Sequence, residues 1–209
     1  MTAYAQRQEP PQGGPMSVED YLQLDKRTLD AKYEYLDGVA RLMSGGSAAH
    51  DRIAYNMRAA LDQHFLSGPC TVFGSDMQVL VGIKPDGCEQ YVYPDVTISC
   101  DVADRRLDNT LICSPRIVVE VLSPSTEYID RGTKLAAYKA CPTIQEIVLI
   151  SQRVQAVEIY RRGEEDGDEW LHLSYGPTST IELTSLDVSL TIDEIYRGIN
   201  FATSQLDQG

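Results

Sequence analysis

Apolar residues in this chain recur mostly in short alternating runs, separated by turn residues, with a few stretches at helical spacing between them. Tyr33 to Leu36 and Val39 to Met43 flank Asp37-Gly38, a dipeptide that favours a two-residue hairpin. From Ala48 to Leu66 the period changes. Ile53, Ala54, Met57, Ala60, Leu61 and Phe65 fall on one helical face, and Gly68-Pro69 closes that helix. Val72 to Val81 alternates as a strand. A polar turn from Lys84 to Gln90 leads into another strand around Tyr93 to Ser99.

The second half repeats the mixture. Asp101 to Ser114 reads as a charged loop or short helix. Ile117 to Leu122 is a nearly continuous β-branched run, the pattern of a central strand covered on both faces. Ser125 or Thr126 is placed to cap a helix that runs to Ala140 and closes at Cys141-Pro142. Glu146 to Ser151 and Val154 to Arg161 predict a hairpin. Trp170 to Tyr175 and Ile181 to Leu190 predict further strands, and Ile192 to Phe201 a last helix. At the other end, Ser17-Val18-Glu19-Asp20 has the form of a capping box that opens a short helix through Leu24. The order of elements predicts an α/β or α+β domain built on a mixed sheet flanked by helices.

Length and composition narrow the class. The 209 residues suit one domain over 17–201, with a polar Pro- and Gln-bearing leader over 1–16, expected to be disordered, and a tail over 202–209. No run approaches a membrane span, and the leader lacks the basic start and apolar centre of a signal peptide, so the expected location is the cytoplasm. The five cysteines (Cys70, Cys88, Cys100, Cys113, Cys141) form no C-x-x-C pair and are expected as reduced thiols. A net charge of −13 works against phosphate binding over the surface as a whole. The charge is uneven, however. Glu164, Glu165, Asp166, Asp168 and Glu169 gather in one expected loop, while Arg131, Lys134, Lys139, Arg153, Arg161 and Arg162 enrich the stretch before it and leave room for a local basic face.

Two acids stand out against this background. Asp95 follows Tyr93-Pro94, and Glu120 sits inside the β-branched run, where an unpaired charge is costly. On adjacent strands the two carboxylates would converge at one end of the sheet, as oxygen ligands suited to Mg²⁺ or Mn²⁺. The plainer alternative makes Asp95 a turn cap and Glu120 the partner of an arginine. Asp130, Lys134 and Tyr138 follow at intervals of four and share a helical face. Lys134 then either reaches the carboxylates or makes a surface pair with Asp130. His50 is placed either to donate to a phosphate or to cap its helix.

The ordered series Pro94-Asp95, Glu120 to Thr126, Asp130, Lys134 and Tyr138 resembles the PD-(D/E)xK nuclease superfamily, and within it the Uma-type restriction-endonuclease-like family of bacterial proteins. Glu34 and Gly38 in the hairpin and His50 in the long helix match the same family, over about Ser17 to Tyr160. The resemblance implies a restriction-endonuclease-like core and Mg²⁺-dependent hydrolysis of phosphodiester bonds, with DNA as the expected partner and no membrane. It implies Asp95, Glu120 and the Val121 carbonyl as metal ligands and Glu34 as a further acid at the metal. His50 and Tyr138 are candidate substrate contacts, although a helix tyrosine packing on the sheet is the more usual case for Tyr138. The superfamily's usual lysine position, two residues after the second acid, holds Leu122, so the catalytic lysine is expected at Lys134. Analogy with such folds suggests a homodimer. The alternative function is a catalytically silent nuclease fold that binds nucleic acid or a protein; a weaker third is a metal-dependent hydrolase of small phosphates.

Overall fold

The computed structural model describes residues 14–28, 30–43, 45–83, 89–163 and 169–201. The predicted leader and tail, the turn beginning at Lys84, and most of the acidic loop from Glu164 therefore lie outside the described residues. Helix α1 (Val18–Arg27) leads into the hairpin β1 (Tyr33–Leu36) and β2 (Val39–Leu42). Asp37 and Gly38 both take positive φ (54° and 77°), as the turn that matches strand twist requires. Helix α2 (Ala48–Phe65) follows, then β3 (Thr71–Gly74), β4 (Gln78–Ile83), β5 (Glu89–Val92), β6 (Val96–Ser99), β7 (Leu111–Ile112) and β8 (Pro115–Leu122).

After β8 a helical segment comprises α3 (Glu127–Ile129), a π turn (Asp130–Lys134) and α4 (Leu135–Ala140). The chain closes with β9 (Glu146–Ser151), β10 (Val157–Arg162), β11 (Trp170–Tyr175), β12 (Thr180–Leu183), β13 (Val188–Thr191) and α5 (Ile192–Ile195).

The strands form two main sheets. One has the order β2-β1-β5-β4-β7, the other β11-β10-β9-β8-β6-β3, and β12 and β13 make a separate hairpin. The β8 and β9 strands run parallel, with the α3–α4 segment as their crossover, and β6 lies antiparallel to β8 with Val96 opposite Val119. Side chains of β8 alternate between two cores. Ile117, Val119 and Val121 join Ile53, Met57 and Leu61 of α2, whereas Val118 and Leu122 join Tyr138 and Ala137 of α4. The prediction of a central strand covered on both faces thus holds, and the two layers bring α2 and α4 to opposite sides of Glu120.

Several predicted boundaries differ, each for a local reason. The single strand over Val72 to Val81 is two strands in different sheets, because a turn at Gly74 (Met77 N–H to Gly74 C=O, 3.2 Å) carries the chain from one sheet to the other. The strand around Tyr93 splits in the same way. Val92 ends in the first sheet and Val96 begins in the second, and Pro94, which has no N–H for a ladder, marks the crossing. Ile181 to Leu190 folds back on itself as a hairpin about Asp187, at φ 55°. The last helix stops at Ile195 instead of Phe201, and Gly198 at φ 80° turns the chain away.

The expectation of reduced thiols is corrected for two of the five cysteines, and Cys88 lies outside the described residues. Cys70 and Cys100 form a disulfide, because β3 and β6 pair with Thr71 opposite Ser99 and so bring the next residues together. Cys113 and Cys141 are free.

Candidate active site

The crossing between the sheets puts Asp95 directly before β6, next to the C-terminal end of β8. Its Oδ2 accepts the Val121 N–H at 2.7 Å, which fixes the carboxylate against the strand that bears Glu120. His50 reaches the same oxygen from the first turn of α2, with Nε2 3.2 Å away. Ser47 caps that turn by accepting the His50 N–H at 3.1 Å. Gly46 lies so close that a Cβ there would come within 2.8 Å of His50 Nδ1. Burial works to lower the imidazole pKa, but the hydrogen bond and charge of Asp95, with a further bond to the Val121 backbone, outweigh it and hold His50 above its usual value.

Behind Asp95 lies a buried charge cluster. Glu34 from β1, Glu120 from β8, and Asp130 and Lys134 from the π turn are 8%, 4%, 4% and 3% exposed. Lys134 Nζ lies 2.8 Å from Glu34 Oε1, 2.7 Å from Glu120 Oε1 and 3.6 Å from Asp130 Oδ1. Glu34 Oε1 also accepts the Tyr93 N–H at 3.1 Å, which ties the first sheet to the Pro94 crossing. Burial opposes the charged ammonium, yet Glu120 and Glu34 overcome it and hold Lys134 well above the ordinary lysine range. Burial pushes Glu120 well up, against the pull of Lys134, and the nearby acids Asp130, Asp95 and Glu34 push it further.

The π turn shapes this arrangement. The Leu135 N–H reaches back to the Asp130 carbonyl, a widened turn of a kind frequent at functional sites. Asp130, Lys134 and Tyr138 all face Glu120, in keeping with their spacing, but none forms the solvated pair that was the plainer alternative. Tyr138 is fully buried, and its hydroxyl donates to Glu120 Oε1.

Sequence reasoning left Asp130 as a mere neighbour of Lys134. Here burial pushes its carboxyl up against the pull of Lys134, and Thr126 Oγ1 donates to it at 2.8 Å. Thr126 Oγ1 in turn lies 2.8 Å from Ser123 Oγ. The signal was present in the hydroxyl-rich run after Leu122, which holds Asp130 by side chain instead of capping the helix by the expected backbone bond.

Of the residues that suggested a local basic face, Lys134 lies in the buried cluster and three arginines are engaged by acids or carbonyls. Arg131 pairs with Glu127 and Glu158, Arg161 with the buried Glu146, and Arg162 donates to the carbonyls of Ile144, Lys139 and Cys141. Lys139 lies 4.3 Å from the centre of the Tyr160 ring.

Among the described residues, no three His, Cys, Asp or Glu side chains are already drawn together around a metal position. The reason is visible in the contacts: Lys134 stands between Glu34 and Glu120, and Asp95 Oδ2 is engaged by His50 and Val121. The donor chemistry nevertheless fits a hard cation. Three buried carboxylates, of Glu34, Glu120 and Asp130, gather around one ammonium, an oxygen-rich donor set of the kind a hard cation takes.

Two sheets joined at a Pro-Asp crossing, with an acid on the neighbouring central strand and a lysine from the crossover helix, define a restriction-endonuclease-like protein. The model of the Uma2 family, described as "Putative restriction endonuclease", matches residues 18–193, and the chain belongs to this family. It is 37% identical over 186 residues to the uncharacterized protein slr1290 of Synechocystis sp., covering 89% of this chain and 94% of that one. A second Synechocystis protein, the uncharacterized sll1609, is 29% identical over 149 residues, which span 70% of this chain and 81% of the relative. Among solved structures, a "putative nuclease belonging to DUF820" from Anabaena variabilis superposes with a TM-score of 0.71 at 16% identity, over 87% of this chain and 98% of that one. At that identity the likeness speaks for the fold, and it agrees with the mixed two-sheet core.

Proposed function

We propose that this protein is a divalent-metal-dependent endonuclease that hydrolyses phosphodiester bonds in DNA. The observation that carries the reading is Lys134 held between Glu34 and Glu120 at the end of β8, beside Asp95. A lysine absent at Leu122 is supplied from the crossover helix, and it reaches the acids. That contact favours the enzyme over a silent scaffold, whose fold has no need of a buried lysine among three carboxylates.

Asp95 and Glu120, with the Val121 carbonyl, would hold Mg²⁺ or Mn²⁺, and Glu34 is the additional acid. When bound, the cation supplies Lewis-acid polarisation of a phosphoryl oxygen and activation of water. The chain's own groups do the rest. Val121 N–H and His50 fix the orientation of Asp95, and Tyr138 fixes Glu120. Lys134 carries a permanent positive charge to the site and stabilises negative charge that develops on the phosphate. Of the two candidate substrate contacts, His50 lines the open cleft and Tyr138 is buried, which favours His50 in that role.

The test is cleavage of supercoiled plasmid and of single-stranded circular DNA with Mg²⁺ or Mn²⁺. Asp95→Ala and Lys134→Gln should each lower the rate by at least about a hundredfold, with circular dichroism showing retained fold. A variant pair that folds and still cuts like wild type removes the assignment.

A further inference from the structure

The 31 acids of this chain outnumber its 18 lysines and arginines, so an acidic neighbour is the default for any cation on its surface. Arg52, Arg153 and Arg197 depart from that default. All three are exposed, and among the described residues no carboxylate oxygen comes within 4.0 Å of any of them.

The three stand on segments that meet. Ser47, the cap of α2, has its hydroxyl 2.8 Å from Gln152 Oε1 in the β9–β10 turn, one residue before Arg153. Tyr196, at the end of α5, holds the same turn. Its hydroxyl lies 2.7 Å from the Ser151 carbonyl and accepts the Ala156 N–H at 3.1 Å. Asn56 closes the ring by donating to the Ile195 and Arg197 carbonyls, and Arg52 lies one turn before Asn56 along the same side of α2. The start of α2, the β9–β10 turn and the end of α5 are thus bonded to one another, and each carries one arginine.

The acids close to them in sequence are turned to other tasks. Asp51 lines the cleft, Glu194 is held by Thr191 in the capping box, and Asp193 does not pair with Arg197 one turn on. The Arg52 guanidinium lies over the exposed Tyr55 ring, 5.7 Å from its centre, which leaves the N–H edge of the fork open. Arg197 meets Asn56 through its backbone carbonyl, so that bond makes no demand on its side chain. The patch also adjoins the candidate active site. Ser47 lines the cleft that holds His50 and Asp95, and the turn bonded to Ser47 carries Arg153.

We infer that Arg52, Arg153 and Arg197 form an anchoring surface for the phosphate backbone of DNA, beside the cleft and outside it. The inference rests on the nuclease reading and names the surface by which that site's substrate is held. A guanidinium stays charged at any working pH and presents paired donors to phosphate oxygens. Three of them gathered without acids give a chain of net charge −13 a local place where a polyanion is attracted. Continuity with the wall of the cleft favours a nucleic acid over an acidic protein as the occupant.

The experiment is fluorescence anisotropy of a labelled DNA duplex in Ca²⁺ as a function of salt, beside steady-state cleavage of the same duplex in Mg²⁺. Three phosphate contacts give a slope of log K against log salt of about −2.7, and Arg52→Ala, Arg153→Ala and Arg197→Ala should each flatten it by about 0.9. The triple variant, with its fold checked by circular dichroism, should bind at least about tenfold more weakly. Its KM should rise with kcat unchanged, since none of the three touches the buried acids or Lys134. Arg106→Ala serves as a charge-matched control. Arg106 pairs with Asp108 on the loop after β6, at the opposite end of that strand from Asp95, and its loss should leave slope and KM as they are.

No binding of duplex by wild type, slopes indifferent to the three substitutions, or a polyglutamate peptide bound more tightly than the duplex, which would mark an acidic protein as the partner, would overturn the inference. Metal-dependent cleavage with an unchanged KM in the triple variant leaves the nuclease reading standing alone. Duplex binding with the expected slopes but without cleavage does the reverse.

Discussion

Lys134 is the residue on which the site's electrostatics turn. It is nearly fully buried, and its ammonium neutralises part of a cluster containing Glu34, Glu120 and Asp130. Removing one partner of a buried pair leaves the other charge stranded, at a cost of about 3–5 kcal/mol. Lys134→Met should therefore lower stability to urea by about that amount. Mg²⁺ or Mn²⁺ should raise the melting temperature of Lys134→Met more than that of wild type, since the cation then answers carboxylates that have lost their ammonium. Equal shifts in the two proteins would show that the cation binds elsewhere. Glu120 was legible in the sequence because a charge inside a β-branched run is rare, whereas Glu34 came only with the family resemblance. The packing of Tyr138 on the sheet agrees with the plainer of its two readings, but its bond to Glu120 was not legible, since spacing places a residue on a face and does not name its partner.

At the scale of elements, the site depends on how α2 is seated, and α2 packs against α5. Asn56 Nδ2 donates to the Ile195 and Arg197 carbonyls at 3.0 and 2.9 Å, joining the two helices near the end of the chain. Helix α5 is short, and a complete capping box opens it. Thr191 Oγ1 accepts the Glu194 N–H, and the Glu194 carboxylate accepts the Thr191 N–H at 2.8 Å. The backbone N–H of Thr191 first, and then its hydroxyl, hold the Glu194 carboxyl below its ordinary value of 4.5. A lowered folded-state pKa gives stability that is present above the unfolded value and lost as pH falls through the folded one. Thr191→Ala should cost about 1 kcal/mol at neutral pH, and the difference from wild type should shrink as the medium is acidified below pH 4.5. Thermal melts of the two proteins across that range check it; a gap that stays constant would argue against the cap. Sequence pattern found α2, β8 and the first hairpin because each has an uninterrupted period. It misplaced the strands that cross between sheets, since apolar alternation continues through Gly74 and through Pro94 while the chain changes layers.

For the molecule as a whole, the decisive contacts join segments far apart in sequence. Glu34 and Lys134 are 100 residues apart, and the hydrogen-bonded pair Val121 and Asp95 are 26 apart. No local pattern reports such pairings, which is why the site was legible only as an ordered series resembling a family. The disulfide was hidden for the same reason. Cys70 and Cys100 close a separation of 30 residues that only the β3–β6 register reveals. Replacing both with serine should remove about 2–4 kcal/mol of stability, seen in urea unfolding without reductant; an unchanged midpoint would mean the bond does not form in solution. The charge of −13 also acts at this scale, since it opposes the approach of phosphate over the surface as a whole.

The most direct test of metal-dependent hydrolysis centred on β8 is DNA cleavage at low salt by wild type beside Glu120→Ala, each with Mg²⁺ and with chelator. Circular DNA opened by wild type in Mg²⁺, and left intact by Glu120→Ala and by wild type in chelator, is the predicted result. Cleavage that survives either the chelator or the loss of Glu120 in a folded protein would contradict it.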